Sequence, residues 1–333
     1  MLAYDIVDVF TDRPFAGNQL AVVHGADELS TEQCQAIAQE FNFSETTFPS
    51  TEVVDGAAYS TRIFTPGGEI PFAGHPTLGT AWVLRSRGLL SGSPVNSPVN
   101  SRVNSQVTQE CGAGRIGIRF SADLVELTAS PRDLLGPVDD ELAASLLDDV
   151  GLSAADLAGP VWLAGCGLSF AHIPVIAGAV ERAVASSRPL GEYAERLAAL
   201  GTTLDPLEGL NVVHLTGSAP TLSVHSRVFT PGPPLSEDAA TGSAAAGLGM
   251  ALVAAGRLPE GGTYAITQGV EMGRPSSLRG CVETTVRGGH GWSPDGTDQA
   301  ESRVAALCRV AGQVHHVATG EMVIPDCGPQ CVS

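Results

Sequence analysis

Two short stretches of this chain combine a titratable side chain with small residues. His75 lies in the first stretch and Asp238 in the second, and the residues that follow each one are typical of a helix. A helix N-terminus presents unpaired backbone N–H groups and the positive end of the helix dipole. Small residues there let a ligand come close to the backbone. This combination favours the binding of a small anion such as a carboxylate. The small residues are Gly74, Gly79, Gly242, Ser243 and Ala244.

These stretches belong to the two copies of an internal repeat. Residues 62–67, Arg-Ile-Phe-Thr-Pro-Gly, reappear as residues 227–232, Arg-Val-Phe-Thr-Pro-Gly. Continued without a gap, the match sets 72–79 opposite 237–244, and in both copies a predicted strand leads through a loop into a predicted helix. Two copies of this unit predict two lobes with approximate two-fold symmetry, whose corresponding loops face each other across a cleft. The alternative, a repeated turn whose small residues only serve helix packing, stays open.

The elements that must position these loops follow from the periodicity of apolar residues. Alternation over residues 3–10 predicts a half-buried strand, and Ser30 with Gln33 matches a capping box for a helix that ends near Phe41. Segment 91–107 repeats a Ser-x-Val-Asn unit and predicts an exposed low-complexity insertion. Mixed strands and helices indicate an α/β or α+β fold. Further strands are predicted over 20–23, 46–48, 58–64, 115–120, 125–128, 171–175, 212–215 and 221–229, and further helices over 76–87, 138–158, 178–200 and 240–255.

Composition argues against several classes of partner. The formal net charge of −18 disfavours nucleic acid and anionic membrane surfaces, because both are bound through clustered Lys and Arg. No apolar run is long enough to predict a membrane span. Residues 1–10 are typical of a strand rather than a signal peptide and the seven cysteines are scattered, so we expect a cytoplasmic protein with reduced thiols. Cys327 and Cys331 have no second pair of ligands, and no metal site is predicted.

Six motifs follow one another along the chain in a specific order. They lie at Phe15–Val23, Asn42–Phe48, Arg62–Pro66, Gly74–Gly79, Asp238–Ala244 and Gln268–Ser276. The ordered set resembles the PhzF family, within the diaminopimelate epimerase-like fold, from residue 4 to about residue 288. The resemblance implies an α+β fold of two pseudo-symmetric lobes, each a β-sheet wrapped around a central helix.

The lobes are assigned from the repeat and the resemblance together. The N-terminal lobe is predicted at 1–120, with the insertion at 91–107, and the second lobe at 121–290. The segment 291–333 either completes the N-terminal lobe or forms a tail.

The resemblance also implies a reaction. PhzF-like isomerases use a single glutamate, and the matching residue is Glu45. It would remove a proton from a carbon activated by unsaturation and return it to another carbon on the same face of the substrate. His75 and Asp238 would hold polar groups of the substrate and help to relay protons, although Asp238 is also a candidate helix N-cap. The residues predicted to bind the substrate are Ser44, Gly74, Thr241, Gly242, Ser243 and Asn18.

Other reactions on the same scaffold are weighed against this one. Related epimerases and racemases place one catalytic cysteine in each lobe, at positions that match Ala73 and Asp238 here. No cysteine lies near either loop, so a two-thiol racemase is not expected. Three alternative functions stay open: an epimerase, an enzyme that cleaves C–C bonds and a non-catalytic binding protein. Arg62 and Arg227 are equally suited to ion pairs and to ligand binding.

The prediction for the whole protein is a cofactor-independent isomerase. Its substrate would be a small unsaturated or cyclic amino acid or carboxylate of secondary metabolism, similar to trans-2,3-dihydro-3-hydroxyanthranilate. We expect no cofactor, and we expect the chain to form a homodimer.

Overall fold

A computed structural model of the chain describes residues 1–52, 56–90, 105–185, 207–230, 237–287 and 302–326. The strands are β1 (Leu2–Val9), β2 (Asn18–Val23), β3 (Glu45–Ser50), β4 (Tyr59–Thr65), β5 (Gly68–Ile70), β6 (Ser105–Cys111), β7 (Gly114–Ser121), β8 (Leu124–Ala129), β9 (Leu134–Leu135), β10 (Trp162–Cys166), β11 (Leu168–Pro174), β12 (Leu207–Ser218), β13 (Thr221–Phe229), β14 (Gly262–Gln268), β15 (Ser276–Arg287), β16 (Ser302–Gly312) and β17 (Val314–Met322). The helices are α1 (Thr31–Phe41), α2 (Gly74–Ser86), α3 (Asp140–Asp149), α4 (Ala179–Arg182) and α5 (Gly242–Ala254), with a short 3₁₀ helix at Ala154–Asp156.

The strands form two sheets of the same design, which are joined to each other. In the first lobe (β1–β8 with α1 and α2), β1 runs antiparallel to β2, β2 parallel to β3, β3 antiparallel to β4 and β4 parallel to β6. In the second lobe (β10–β16 with α3, α4 and α5), β10, β11, β12, β13 and β14 repeat this order of directions. The two-fold repeat predicted from the sequence is therefore present in the sheet topology.

Each lobe is completed by a strand from elsewhere in the chain. β17 pairs with β1 in the first lobe, and β9 pairs with β10 in the second. β8 and β16 pair antiparallel and join the two sheets. The lobe boundaries at residues 120 and 290 stay predictions.

The central helices are α2 and α5, which both have 13 residues. Both are buried on nearly all sides and consist mainly of small and apolar residues, so a sheet can close around each of them. The sixth residue of each helix is a glycine at a close approach. A Cβ at Gly79 would lie 2.5 Å from a methyl group of Leu20, and one at Gly247 would lie 2.9 Å from the carbonyl oxygen of Ala164. Both helices thus have glycine at the same position because residues of the surrounding sheet lie too close for a side chain.

The structure corrects the alignment of the two copies. Arg62 and Arg227 are 165 residues apart, whereas α2 and α5 begin at Gly74 and Gly242, which are 168 apart. The second copy therefore has three more residues between the repeated arginine and the helix. The N-cap residues correspond, which sets Ala73 opposite Thr241 and not opposite Asp238 as the ungapped match predicted.

Some of the local structure predicted from the sequence is confirmed and some is wrong. The capping box is confirmed, because the Ser30 hydroxyl accepts from Gln33 N–H and the Gln33 side chain accepts from Ser30 N–H. The predicted insertion at 91–107 is wrong at its end, since residues 105–107 belong to β6, which pairs with β7. Residues 91–104 of that insertion lie outside the described residues, as does 186–200 of the helix predicted over 178–200. Within the described ranges, the helices are too short or too polar to cross a membrane.

Candidate active site

The N-termini of the two central helices meet between the lobes. A Cβ placed on Gly74 would lie 3.4 Å from Gly242 Cα and 3.7 Å from the backbone nitrogen of Ser243. The N-cap residues, Ala73 and Thr241, give no side-chain hydrogen bond to their helices. Both helices therefore point uncapped N–H groups and positive dipole ends at one place, as an anion site requires. The Ser243 side chain makes no hydrogen bond to any described residue.

Asn18, at the start of β2, links the two lobes at this place. Its Nδ2 donates to Asp238 Oδ1 at 2.8 Å and to the carbonyl oxygen of Ala240 at 3.1 Å, and lies 3.2 Å from His75 Nδ1. Its Oδ1 accepts from the Ser44 hydroxyl at 3.1 Å. Four of the predicted site residues are thus joined through one buried amide.

The His75 imidazole is held as the neutral form. Its Nε2 lies 3.3 Å from the carbonyl oxygen of Gln19, which can only accept, so the ring proton is assigned to Nε2 and Nδ1 accepts from Asn18. Burial lowers the pKa of His75 to about 4, although the Asp238 charge and the Gln19 carbonyl oppose this shift. His75 therefore carries no charge at neutral pH and presents an N–H group.

Glu45, at the start of β3, lies beside that N–H group. Its Oε2 is 3.4 Å from His75 Nε2, but the contact lacks hydrogen-bond geometry, and this buried oxygen has no hydrogen-bond partner in the described structure. Burial raises the pKa of Glu45 to about 7, against the opposing effect of the Ser44 hydroxyl. A carboxyl with this pKa can both take and return a proton near neutrality.

Asp238 accepts a hydrogen bond on each carboxylate oxygen. Asn18 donates to Oδ1, and the Thr241 hydroxyl donates to Oδ2 at 2.6 Å. Burial raises the pKa of Asp238, and the nearby Glu45 adds to this effect, while His75 and the two donors oppose it. The prediction that Asp238 is a helix N-cap is wrong. Thr241 holds that position, and Asp238 binds its hydroxyl instead of a helical N–H group.

Gln268, the last residue of β14, contacts Asp238 and Thr241, and no role for it was predicted from the sequence. Its Nε2 donates to the carbonyl oxygen of Asp238 at 2.9 Å and to Thr241 Oγ1 at 3.1 Å, and its Oε1 accepts from Thr241 N–H at 3.3 Å. The signal beside it is Gly269, which has φ +71° and where a Cβ would lie 2.6 Å from two backbone carbonyl oxygens. This glycine indicates that the loop after β14 packs closely against neighbouring backbone.

Arg274 is a second residue whose role the sequence did not reveal. Its guanidinium donates to the Asp8 carboxylate and to the carbonyl oxygens of Ala16 and Gly17. Those carbonyls directly precede Asn18. The second lobe therefore holds the loop that presents Asn18 to His75 and Asp238.

The two repeated arginines form ion pairs. Arg62 donates through Nε and Nη2 to the Glu69 carboxylate at 2.8 and 2.7 Å. Arg227 makes the same two-atom contact with Glu237, at 2.8 Å for both bonds. Their guanidinium groups thus hold the loops that follow β4 and β13.

Replacing Glu45 with glutamine is expected to stabilise the protein at alkaline pH. Folding raises the pKa of Glu45 from 4.5 to about 7, so the folded state keeps a proton that the unfolded chain loses between these values. Stability from this group is full below pH 4.5 and is lost as the pH rises through 7. Glu45→Gln should therefore raise the free energy of unfolding by about 3 kcal/mol at pH 8.5 and change it little at pH 4. Denaturant titrations at both pH values measure this, and equal effects at both would contradict the raised pKa.

The sequence of this chain is similar to those of a known protein family. The model of the PhzC–PhzF family, described as phenazine biosynthesis-like protein, matches residues 7–130 and 194–291. An uncharacterized isomerase of Mesorhizobium japonicum is 32% identical over 96% of this chain and 98% of its own length. A trans-2,3-dihydro-3-hydroxyanthranilate isomerase of Pseudomonas chlororaphis is 33% identical over 83% of this chain and 88% of its own length.

Solved structures show the same fold. A PhzF-family phenazine biosynthesis protein of Bacillus anthracis superposes with a TM-score of 0.75 at 23% identity, over 97% of this chain and 99% of its own. Racemases and epimerases are among the structures that share the architecture, so the predicted α+β, epimerase-like fold is confirmed. Two-thirds of the chain matches the family model, and relatives above 30% identity span nearly its whole length. The chain belongs to the PhzC–PhzF family of phenazine biosynthesis-like proteins.

Proposed function

We propose that this protein is an isomerase that moves a proton between two carbons of a small unsaturated or cyclic amino acid or carboxylate, with Glu45 as general acid and base. One observation carries the proposal. The buried Glu45 carboxyl, with a pKa of about 7 and an unpaired oxygen, lies beside neutral His75 where two uncapped helix N-termini converge. A base and an anion site at one place suit a substrate whose reacting carbon lies near its own carboxylate.

The helix N-termini would orient the substrate. Its carboxylate would accept hydrogen bonds from backbone N–H groups at Gly74, Gly242 and Ser243, and from the Ser243 hydroxyl, which has no other partner among the described residues. This charge-assisted binding fixes the carbon skeleton relative to Glu45.

Proton transfer then needs only one carboxyl. The Glu45 carboxylate takes a proton from an sp³ carbon, and the C–H electron pair forms a new double bond to the neighbouring carbon. The π pair of the original double bond moves to its far carbon, which takes the proton back from the Glu45 carboxylic acid. The carboxylate is restored, and no atom is gained or lost. The His75 Nε2–H group lies 3.4 Å from Glu45 Oε2, and a small shift from the Gln19 carbonyl would let it donate to the carboxylate.

Asp238 would complete the site as a fixed negative charge. Its two oxygens are already held by Asn18 and Thr241, so it is oriented before the substrate binds. An amino group on the substrate is the natural partner for this charge, which favours an amino acid over a simple carboxylate. The P. chlororaphis relative is named for the isomerisation of such a compound, trans-2,3-dihydro-3-hydroxyanthranilate.

Isomerisation in deuterated water tests the proposal. The protein is incubated with trans-2,3-dihydro-3-hydroxyanthranilate and the product is followed by proton NMR. We expect the double bond to migrate and solvent deuterium to appear at the carbon that receives the proton. Exchange at the original carbon without migration would indicate an epimerase, and fragments would indicate C–C cleavage. Binding measured by calorimetry without exchange would indicate a binding protein, and each of these results would overturn the isomerase for this substrate.

A further inference from the structure

The Gln268 amide has a single possible orientation. Its Oε1 faces the backbone N–H of Thr241, which can only donate, and its Nε2 faces the backbone carbonyl of Asp238, which can only accept. Rotating the amide by half a turn would set its N–H group against the Thr241 N–H group and its oxygen against the Asp238 carbonyl oxygen. The side chain is 1% exposed, so water does not replace these partners.

This orientation decides which way the Thr241 hydroxyl points. The Gln268 Nε2–H group also lies 3.1 Å from Thr241 Oγ1, which accepts from it. The hydroxyl proton is then free to be donated, and the acceptor within reach is Asp238 Oδ2 at 2.6 Å. A directed chain of hydrogen bonds therefore runs from Gln268 through Thr241 to Asp238.

We propose that Gln268 is a positioning residue that acts through Thr241, directing the hydroxyl at Asp238 so that each carboxylate oxygen of Asp238 accepts a hydrogen bond. The inference rests on the proposed function only in that it takes Asp238 to be part of the reaction site. Hydrogen bonds donated to both oxygens favour the charged carboxylate, which burial and the neighbouring Glu45 disfavour. Gln268 thus keeps Asp238 charged without touching its side chain.

The arrangement is confined to the second lobe. Thr241 corresponds to Ala73, which has no hydroxyl group to direct. The second lobe therefore supplies the hydrogen bond to Asp238 Oδ2, whereas Asn18 of the first lobe supplies the one to Oδ1.

Gln268→Glu reverses the chain of hydrogen bonds. The new carboxylate cannot donate to Thr241 Oγ1 or to the Asp238 carbonyl, and it competes with the Asp238 side chain for the Thr241 hydroxyl proton. Thr241→Val removes the same hydrogen bond to Asp238 with almost no change in volume and buries no new charge. Both variants should raise the pKa of Asp238.

Carbon-13 NMR of protein labelled at the aspartate carboxyl groups measures this titration directly. The Asp238 signal is identified by its absence in Asp238→Asn. We expect its midpoint to rise by about one pH unit in Gln268→Glu and in Thr241→Val, a tenfold weaker acid. Gln39→Glu is the matched control, because Gln39 is exposed and donates only to the carbonyl oxygen of Pro66, and it should leave the midpoint unchanged.

The outcomes separate this inference from the proposed function. An unchanged Asp238 midpoint in folded Thr241→Val overturns the inference, even where Gln268→Glu fails to fold. If the wild-type protein isomerises trans-2,3-dihydro-3-hydroxyanthranilate, kcat should fall in both variants while KM changes less than kcat. If it does not, the proposed function fails for that substrate, and the NMR titration still decides the role of Gln268.

Discussion

Glu45→Gln should lower turnover by at least about 1,000-fold, because it removes the group proposed to take and return the proton while leaving its shape in place. The amide cannot accept a proton, and neither His75 nor Asp238 replaces it. His75 has a pKa of about 4 and is a weak base, and both Asp238 oxygens are already hydrogen-bonded. Deuterium incorporation into the product should fall by the same factor, since it reports the same proton transfer.

The pH dependence of the wild-type enzyme provides an independent check of this role. If the Glu45 carboxylate is the base, as proposed, its pKa of about 7 means that kcat/KM should rise with pH through that value and reach a plateau above it. Glu40→Gln is the control, because Glu40 is an exposed residue of α1 and its loss should change neither turnover nor the profile. Full exchange activity in folded Glu45→Gln would sink the assignment of the base.

Asp5→Asn should destabilise the protein by about 3 kcal/mol, the second large effect expected. The Asp5 carboxylate is 3% exposed and accepts hydrogen bonds from Arg87, His24, His316 and Thr319. Burial opposes its charge, but these donors outweigh burial and hold the pKa of Asp5 well below its ordinary value. The amide cannot accept from all these donors, and Arg87 loses its partner. Thermal unfolding should show a Tm lower by about 5 °C.

The pH dependence of stability separates this effect from simple loss of packing. A carboxyl whose pKa is lowered by folding contributes stability at neutral pH and loses it as the pH falls through the folded pKa. The difference between wild type and Asp5→Asn should therefore shrink on acidification. Asp12→Asn is the matched control. The Asp12 side chain is 72% exposed, and its Oδ1 lies 3.6 Å from Arg13 Nη1. Removing its charge should therefore change the free energy of unfolding by less than about 0.5 kcal/mol. A constant difference at all pH values would contradict the role assigned to the Asp5 charge.

The repeated segment explains how much of the fold could be predicted. Arg-x-Phe-Thr-Pro-Gly occurs twice and precedes a helix each time, which is enough to predict two lobes and a junction of helix N-termini. The length of the second loop could not be predicted, because an ungapped match has no means of revealing three extra residues before Gly242. That slip set Asp238 opposite Ala73, whereas the N-cap Thr241 occupies the equivalent place.

The site illustrates a different limit. Glu45 lies outside the repeat and was assigned through the family resemblance, since periodicity only makes it a residue at the start of a strand. Its raised pKa depends on burial in the folded protein, which no local pattern encodes. Gln268 contacts Thr241, 27 positions away in the same lobe, and Arg274 contacts Gly17, 257 positions away in the other lobe. Neither contact exists before the chain has folded.

The pairing of β17 with β1 has a consequence for how the chain is made. Leu2 pairs with Met322, so β1 pairs with a strand that is synthesised about 300 residues later. At about 5–20 residues per second, β1 waits roughly 15–60 seconds for this neighbour. Throughout that time one edge of the sheet offers unpaired N–H and C=O groups to chaperones or to another nascent chain. Closing this long-range contact ends the exposure.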